Sequence, residues 1–162
     1  MNFKNIKAIT VVCAGNICRS PIGEVVLKHK LNEVGLTIEV NSAGTGNWHE
    51  GENANSKSIK VLTEKGYSIN HKAQQFKKSW FEEKDLILVM DHQNKRDLES
   101  IAPFEHKSKI KYFKEFDKDN LEDLVVPDPY YKSIDAFYEV LEMIEKASIG
   151  LVEEILAFSK DY

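Results

Sequence analysis

The sequence predicts an α/β fold: a single domain of three layers, in which a four-stranded parallel sheet carries helices on both faces. Two observations predict it. Four short runs of β-branched and aliphatic residues alternate with four segments of helical periodicity. The 162 residues suit one domain, and no repeat, low-complexity tract or proline-rich linker divides them. Such alternation implies right-handed crossovers and parallel strands. We therefore expect residues 1–162 to form one domain.

Each element of the first half has its own local signal. A β-branched run ends abruptly at Cys13, which is typical of a buried parallel strand. Ser20 before Pro21 predicts a capped helix start, and Gly35 and Gly66 predict helix ends. The predicted bounds are 6–12 (strand), 21–35 (helix), 36–40 (strand) and 56–64 (helix), with a loop rich in Gly, Asn and Ser before residue 56.

The second half repeats the pattern. A fully apolar run precedes Asp91, and Pro103 follows the helical segment after it. The predicted bounds are 85–90 (strand), 92–101 (helix) and 109–113 (a weaker strand). A loop containing VPDPYY, residues 126–131, then leads to a last amphipathic helix. Its apolar stripe is Phe137, Leu141, Ile144, Leu151, Val152 and Ile155.

The loop after the first strand is the predicted ligand site, because ligands of open parallel sheets bind beyond the carboxyl ends of the strands. Backbone N–H groups of a tight loop that enters a helix form an anion site, and Gly15 is expected to supply backbone angles closed to other residues. Arg19 offers a planar fork for two phosphate oxygens. The same groups would stabilise a thiolate at Cys13. The predicted phosphate-binding residues are Ala14, Gly15, Asn16, Ile17, Cys18, Arg19 and Ser20.

The segment VVCAGNICRSP, residues 11–21, resembles the signature of the low-molecular-weight protein tyrosine phosphatases. Further matches at VNSAGT (40–45), at residues 90–91 and 96–98 and at DPYY (128–131) extend the resemblance over nearly the whole chain. The resemblance implies Cys13 as nucleophile, Arg19 as phosphate clamp and Asp128 as general acid. It also implies Ser20 as hydroxyl donor to the thiolate, with Asn16, Ser42 and His71 as a scaffold for the loop.

The function so implied is hydrolysis of phosphotyrosine and small aryl phosphates through a phosphocysteine intermediate. We expect neither a metal nor a cofactor, since the five histidines show no metal-ligand spacing and the two cysteines do not form a C-x-x-C pair. Asp128 considered without the resemblance would be an ordinary turn residue. Cys18 alone fits a small core residue, or else a resolving thiol for oxidised Cys13.

The expected substrate rim is aromatic and apolar, and it consists of Ile17, Trp48, Tyr130 and Tyr131. Loop aromatics that only cover the core are the alternative for the last three. Two departures from the family's pattern concern this rim. The loop GENANS (51–56) lacks the prolines common there, and residues 71–75 read HKAQQ where relatives tend to have an arginine.

Three other functions remain open at this stage. The first is a protein-arginine phosphatase of the same fold: the resemblance implies that threonine goes with phosphoarginine hydrolysis at the position where this chain has Ile17. A thioredoxin-coupled arsenate reductase needs further redox cysteines, and none follows Cys18. A non-catalytic anion-binding module is the third, although the Walker-like glycines 46 and 51 lack the following Lys-Ser/Thr.

Composition limits the partners. With 22 Lys+Arg against 26 Asp+Glu the net charge is −4, which argues against a non-specific nucleic-acid binder. No apolar run is long enough to span a membrane, and the N-terminus has no clear signal-peptide pattern. We expect a cytoplasmic enzyme that acts on phosphotyrosine-containing proteins, releases inorganic phosphate and opposes a tyrosine kinase.

Overall fold

The computed structural model describes residues 2–159, and it has the predicted α/β architecture. Four parallel strands form one sheet in the order β2-β1-β3-β4. The strands are β1 (Ala8–Cys13), β2 (Glu39–Gly44), β3 (Leu86–Val89) and β4 (Ile110–Tyr112). The helices are α1 (Arg19–Glu33), α2 (Ser56–Glu64), α3 (Trp80–Glu83), α4 (His92–Glu99) and α5 (Ile134–Ser159), with 3₁₀ turns at Phe3–Asn5, Phe104–Lys109 and Phe113–Phe116.

Strand β1 lies in the middle of the sheet and every one of its residues is buried. It pairs with β2 from Ala8↔Glu39 to Cys13↔Gly44, and with β3 on its other side. The chain leaves β1 in one direction to reach β2 and later returns on the other side to form β3. The carboxyl end of β1 is therefore the point at which the strand order reverses, and Cys13 lies there.

Helices cover both faces of the sheet. Because strand residues alternate between faces, Ile9 and Val11 face the core under α1 and α5, whereas Val12 faces the core under α3 and α4. All six residues of the predicted α5 stripe are buried, as expected. No helix within residues 2–159 is both long and apolar enough to cross a membrane.

Several predicted boundaries were wrong. The second strand covers Glu39–Gly44 rather than residues 36–40, because its ladder with β1 starts where Glu39 N–H bonds to Lys7 C=O. Helix α1 begins at Arg19, with Cys18 at the N-cap and no side-chain cap. Ser20 is therefore not the cap: it lies buried in the first turn. The short helix α3 was not predicted at all.

Candidate active site

The loop between β1 and α1 has its carbonyl groups turned outward. Five of its carbonyl oxygens accept hydrogen bonds from donors elsewhere in the chain. The pairs are Thr45 N to Cys13 O (2.9 Å), Gly46 N to Ala14 O (3.0 Å), His71 Nε2 with Asn16 O (2.7 Å), Asn55 N to Ile17 O (2.7 Å) and Ser58 Oγ to Cys18 O (3.1 Å). In a planar trans peptide the N–H points opposite to the C=O, so the next residues' N–H groups turn toward the inside of the loop.

The residue with left-handed backbone in this loop is Asn16, with φ at 58°. The prediction had assigned the special backbone conformation to Gly15, which does not have a positive φ. At Gly15 the neighbouring side chain packs closely instead: a Cβ there would lie 2.9 Å from Cδ2 of His49, so the imidazole would have to move. Asparagine is among the residues that tolerate this region best, and its side chain is fully buried here.

Asn16 holds the loop from behind. Its Nδ2 donates to Ser20 Oγ at 2.7 Å and to Ser42 Oγ at 3.0 Å, and its Oδ1 accepts from Gln74 N at 2.9 Å. Asn16 is thus in hydrogen-bond contact with both Ser42 and His71, and their role as a scaffold for the loop stays a prediction. The side chains of Asn16 and Ser20 do not line the open cavity, and both are fully buried.

Cys13, the predicted nucleophile, is contacted by Ser20 in two ways. The Ser20 hydroxyl lies 3.0 Å from Sγ, and the Ser20 backbone N–H donates to Sγ at 3.4 Å. Ser20 is in the first turn of α1, so its N–H is one of those that a helix start leaves without an intrahelical acceptor. The positive end of the helix dipole and the Ser20 N–H therefore both face the sulfur, and the Ser20 hydroxyl is close enough to donate to it as well.

The guanidinium of Arg19 is held by groups from the second half of the chain. Its Nη1 donates to Asp91 Oδ2 at 2.7 Å and to Val126 O at 3.0 Å, while its Nη2 is 4.0 Å from Asp128 Oδ2. Burial alone would lower the pKa of Arg19, but the negative charges of Cys13, Asp91 and Asp128 raise it above its ordinary value. The guanidinium is therefore a fixed positive charge beside Cys13.

Asp128, the predicted general acid, lies across the cavity from the loop. Its Oδ1 accepts from Tyr130 N at 3.1 Å, a local turn that fixes the side chain, and about half of the side chain is exposed. The loop that carries it is tied at its far end, where Lys57 Nζ donates to Lys132 O at 2.9 Å. An exposed carboxyl can exchange its proton with solvent.

These groups surround an open cavity of about 370 Å³. All four predicted rim residues line it, and His49 does so as well. The indole of Trp48 packs over Gly46, where a Cβ would lie 2.4 Å from the ring, and 70% of Trp48 remains exposed. Tyr130 stacks edge-on against Tyr131 with ring centroids 4.7 Å apart. The mouth of the cavity is therefore aromatic on two sides.

Cys18 lines the same cavity as Cys13, and both thiols are free and buried. Burial raises the pKa of the Cys18 thiol to about 12, and the nearby charges of Cys13 and Asp128 act in the same direction. Cys18 therefore stays protonated at neutral pH. Among residues 2–159, no group of three or more His, Cys, Asp or Glu side chains could hold a metal ion.

The model of the family described as low molecular weight phosphotyrosine protein phosphatase matches residues 8–160. The chain belongs to this family. A low molecular weight protein-tyrosine-phosphatase from Streptomyces coelicolor is 43% identical over 151 residues, which are 91% of this chain and 92% of the relative. The predicted family is thereby confirmed, and so is the predicted fold class.

Solved structures of this family agree with the fold. A protein tyrosine phosphatase from Entamoeba histolytica, crystallised with Hepes in its active site, has a TM-score of 0.89 at 33% identity and covers 93% of this chain and 97% of its own. Wzb from Vibrio vulnificus in complex with benzylphosphonate has a TM-score of 0.82 at 33% identity, with coverage of 93% and 99%. This phosphatase-family chain keeps that fold over nearly its full length.

Sequence reasoning missed three residues at this phosphatase-family site. Asp91 was recognised only as part of a family match, yet it binds Arg19. The one local signal was its place directly after a strand, where an N-cap aspartate is common. His49, which packs on the loop, and Gln74, which bonds to Asn16 and to Ser42 O, had no signal of their own.

Proposed function

We propose that this protein hydrolyses phosphotyrosine and small aryl phosphates through a phosphocysteine formed on Cys13. The observation that carries the proposal is the loop of inward N–H groups around Sγ, with the guanidinium of Arg19 beside it. Family membership supports phosphoprotein substrates and inorganic phosphate as the product.

In the first step the Cys13 thiolate attacks phosphorus in line with the ester oxygen. An S–P bond forms as the P–O bond breaks, and Asp128 gives its proton to the departing tyrosyl oxygen. The negative charge of the transferring group is spread over three oxygens. The loop N–H groups and Arg19 are held in position before the reaction and stabilise that charge.

In the second step water attacks phosphorus and the S–P bond breaks. Asp128, now ionised, takes the proton of the water, so the acid is regenerated together with the thiolate. The thiolate leaves more easily because Ser20 donates to it from both its hydroxyl and its N–H. Inorganic phosphate is the product.

The proposed preference for aryl substrates rests on the rim. Trp48 and Tyr130 flank the cavity, and Ile17 adds a branched apolar surface near its floor. The Vibrio vulnificus relative binds benzylphosphonate, in which an aromatic ring lies one carbon from phosphorus. An apolar contact of this kind is worth about 1–3 kcal/mol in discrimination. We expect kcat/KM to rank phosphotyrosine peptide above phosphoarginine, and both above phosphoserine.

The remaining parts of the proposal concern the protein as a whole. Residues 1–162 act as one domain in the cytoplasm, with phosphotyrosine proteins and a tyrosine kinase of opposite action as partners, and with no cofactor. When peroxide oxidises Cys13 to a sulfenic acid, Cys18 serves as resolving thiol: the S–S bond forms as the sulfenic hydroxyl and the Cys18 proton leave together as water. Recovery of activity by thiol after peroxide treatment should then be much poorer in Cys18→Ser than in the wild type.

The decisive experiment compares the wild type with Cys13→Ser and Asp128→Ala, using aryl phosphates of graded leaving-group pKa. Cys13→Ser should abolish turnover and still bind vanadate, since the N–H groups and Arg19 remain. Asp128→Ala should lower kcat by about 10²–10⁴-fold for poor leaving groups. The loss should shrink for leaving groups that need no proton.

Three results would contradict the proposal. Turnover by Cys13→Ser would exclude the phosphocysteine, and an equal loss across all leaving groups would exclude Asp128 as the acid. A wild type that prefers phosphoarginine would make it a protein-arginine phosphatase with the same residue roles. Ile17→Thr is the companion variant, and we expect it to shift activity toward phosphoarginine.

A further inference from the structure

The first turn of α2 is bonded to the loop between β1 and α1, residues 14–18. The backbone N–H of Asn55, the N-cap residue of this helix, donates to Ile17 O at 2.7 Å. Ser58 Oγ donates to Cys18 O at 3.1 Å, and Ser58 is fully buried. The position of this helical turn is therefore fixed relative to the proposed phosphate site.

The same turn also holds the acid loop, which we define as residues 126–133. Lys57 donates from Nζ to Lys132 O at 2.9 Å, and its ammonium lies 5.7 Å from the ring centroid of the fully buried Phe137. We infer that Lys57 is a positioning residue for Asp128, because it joins the acid loop to the helical turn that holds the phosphate site. The inference rests on the proposed role of Asp128 as general acid.

The two ends of the acid loop are held unequally. At its start, Val126 N donates to Met90 O at 2.8 Å, and Arg19 Nη1 donates to Val126 O at 3.0 Å. Among the described residues, the bond from Lys57 is the only hydrogen bond that joins residues 127–132 to another segment. The proposed acid thus lies between an end held by two bonds and an end held by a single side chain.

Local bonds connect Lys132 to the acid itself. Lys132 N donates to Pro129 O at 2.8 Å. Tyr130 N donates to Asp128 Oδ1 at 3.1 Å. Pro127 and Pro129, on either side of the acid, each restrict the backbone angle φ. Loss of the bond at Lys132 would therefore let this turn move as a unit and shift the carboxyl that it carries.

A shift of the carboxyl should affect proton transfer more than phosphate binding. A general acid works only within hydrogen-bond reach of the leaving oxygen. Arg19 Nη2 lies 4.0 Å from Asp128 Oδ2, so attraction between the two charges would draw a released carboxyl toward the guanidinium. The loop N–H groups and Arg19 have their own partners, and these do not include Lys57. The two functions can therefore be measured separately.

The test compares kcat/KM for aryl phosphates of graded leaving-group pKa. Lys57→Met keeps the length of the side chain without the donor. It should lower kcat/KM about 3–30-fold for poor leaving groups, which is part of the factor of about 10²–10⁴ that a positioned acid contributes. Leaving groups that need no proton should react at the wild-type rate, and inhibition by inorganic phosphate should be unchanged. Lys57→Arg retains a cationic donor and should restore most of the rate.

Lys60→Met is the matched control, since Lys60 lies on the same helix, is exposed and makes no hydrogen bond or ion pair within residues 2–159. It should leave every value unchanged. In the Asp128→Ala background, Lys57→Met should cause no further loss, because the acid that it positions is gone. Three results would overturn the inference: no loss in Lys57→Met, a loss equal for all leaving groups, or a loss that persists without Asp128.

A readout without turnover separates this inference from the proposed function. Hydrogen exchange of the acid loop, followed by mass spectrometry, should be faster in Lys57→Met than in the wild type and unchanged in Lys60→Met. Unchanged exchange in Lys57→Met would overturn the inference whatever the activity. A loss in Asp128→Ala that is equal for all leaving groups would contradict the proposed acid instead, and exchange would still report whether Lys57 holds the loop. If Lys57→Met does not fold, Lys57→Ala decides the same question.

Discussion

Arg19 is held by a carboxylate that is 72 positions away in sequence. Asp91 uses its two oxygens for different purposes: Oδ2 accepts from Arg19, and Oδ1 caps α4 by accepting from Asn94 N at 2.8 Å. A single side chain thus fixes both the direction of the guanidinium and the start of the helix that follows β3. Without the first contact, Arg19 would be drawn toward Asp128, which is 4.0 Å away.

Asp91→Asn separates these two purposes, because an amide oxygen can still cap α4 while the charge that holds Arg19 is lost. We expect kcat/KM for an aryl phosphate to fall about 10–100-fold, since small misplacement of a substrate-binding group carries a cost of that order. Competitive inhibition by inorganic phosphate should weaken as well. Asp97→Asn is the control: Asp97 lies within α4, its side chain accepts from Gln93 and does not contact Arg19, so the substitution should change neither quantity. An unchanged phosphate inhibition constant in Asp91→Asn would contradict this account.

For single residues, the sequence was informative where the functional side chains are close together along the chain. Cys13, Arg19 and Ser20 lie close together in sequence where a strand passes through a tight loop into a helix, and this context indicated an anion site. The partners supplied by other segments had no such signal. Asp91 and Gln74 meet the loop only because β3 lies beside β1 and the segment after α2 passes behind Asn16. The left-handed residue was misassigned because glycine is the usual choice and Asn16 takes its place here.

Helix α5 crosses the 3₁₀ turn Phe113–Phe116 at a glycine. A Cβ at Gly150 would lie 1.8 Å from the carbonyl oxygen of Phe116, which is backbone and cannot rotate away. Alanine is the better helix former by about 1 kcal/mol, so propensity and packing disagree at this position. We expect the clash to outweigh the gain in helix propensity, because relieving it would move α5 away from the core residues that its buried stripe contacts.

Gly150→Ala is therefore expected to lower the free energy of unfolding by about 1–3 kcal/mol, the usual range for an overpacked core. Urea denaturation followed by circular dichroism measures this. Ser148→Ala on the same helix is the control: its Oγ is fully buried and has no hydrogen-bond partner among the described residues, so removing it should not destabilise the protein. A gain of stability in Gly150→Ala would show that α5 can shift.

The elements that were predicted well are those with a strong period. Helix α2 has the predicted bounds, and the α5 stripe is buried throughout, because amphipathic helices show their buried face in the spacing of apolar residues. Strand β2 was placed too early because Leu36 and Ile38 are the apolar residues there, whereas the paired strand contains Asn41 and Ser42. Helix α3 has four residues, too few to show any period.

The free energy of unfolding of the whole molecule depends on pH in the alkaline range, and the buried thiol of Cys18 contributes to this dependence. Burial raises the pKa of its thiol from the ordinary 9.0 to about 12 in the folded protein. Between these values the unfolded chain has lost a proton that the folded chain keeps, so the free energy of unfolding falls as pH rises. Below pH 9 both states are protonated and the contribution is complete.

Cys18→Ala removes this group, so the stability difference between wild type and variant should shrink as pH rises from about 9 to about 12. Urea unfolding at several pH values under a reducing agent gives that difference directly. Cys13 stays in place in both proteins and serves as the internal reference. A difference that is constant across the range would mean that Cys18 ionises equally in both states.

The contact between Arg19 and the carbonyl of Val126 has a consequence for biosynthesis. A ribosome completes the loop that carries Cys13 early and the segment with Val126 and Asp128 more than a hundred residues later. Until then the guanidinium lacks one of its acceptors, the proposed proton donor Asp128 is absent, and the α5 surface that covers α1 does not exist. A nascent chain therefore carries Cys13 before the segment that completes the site, and the first hydrolysis reports that synthesis has passed Asp128.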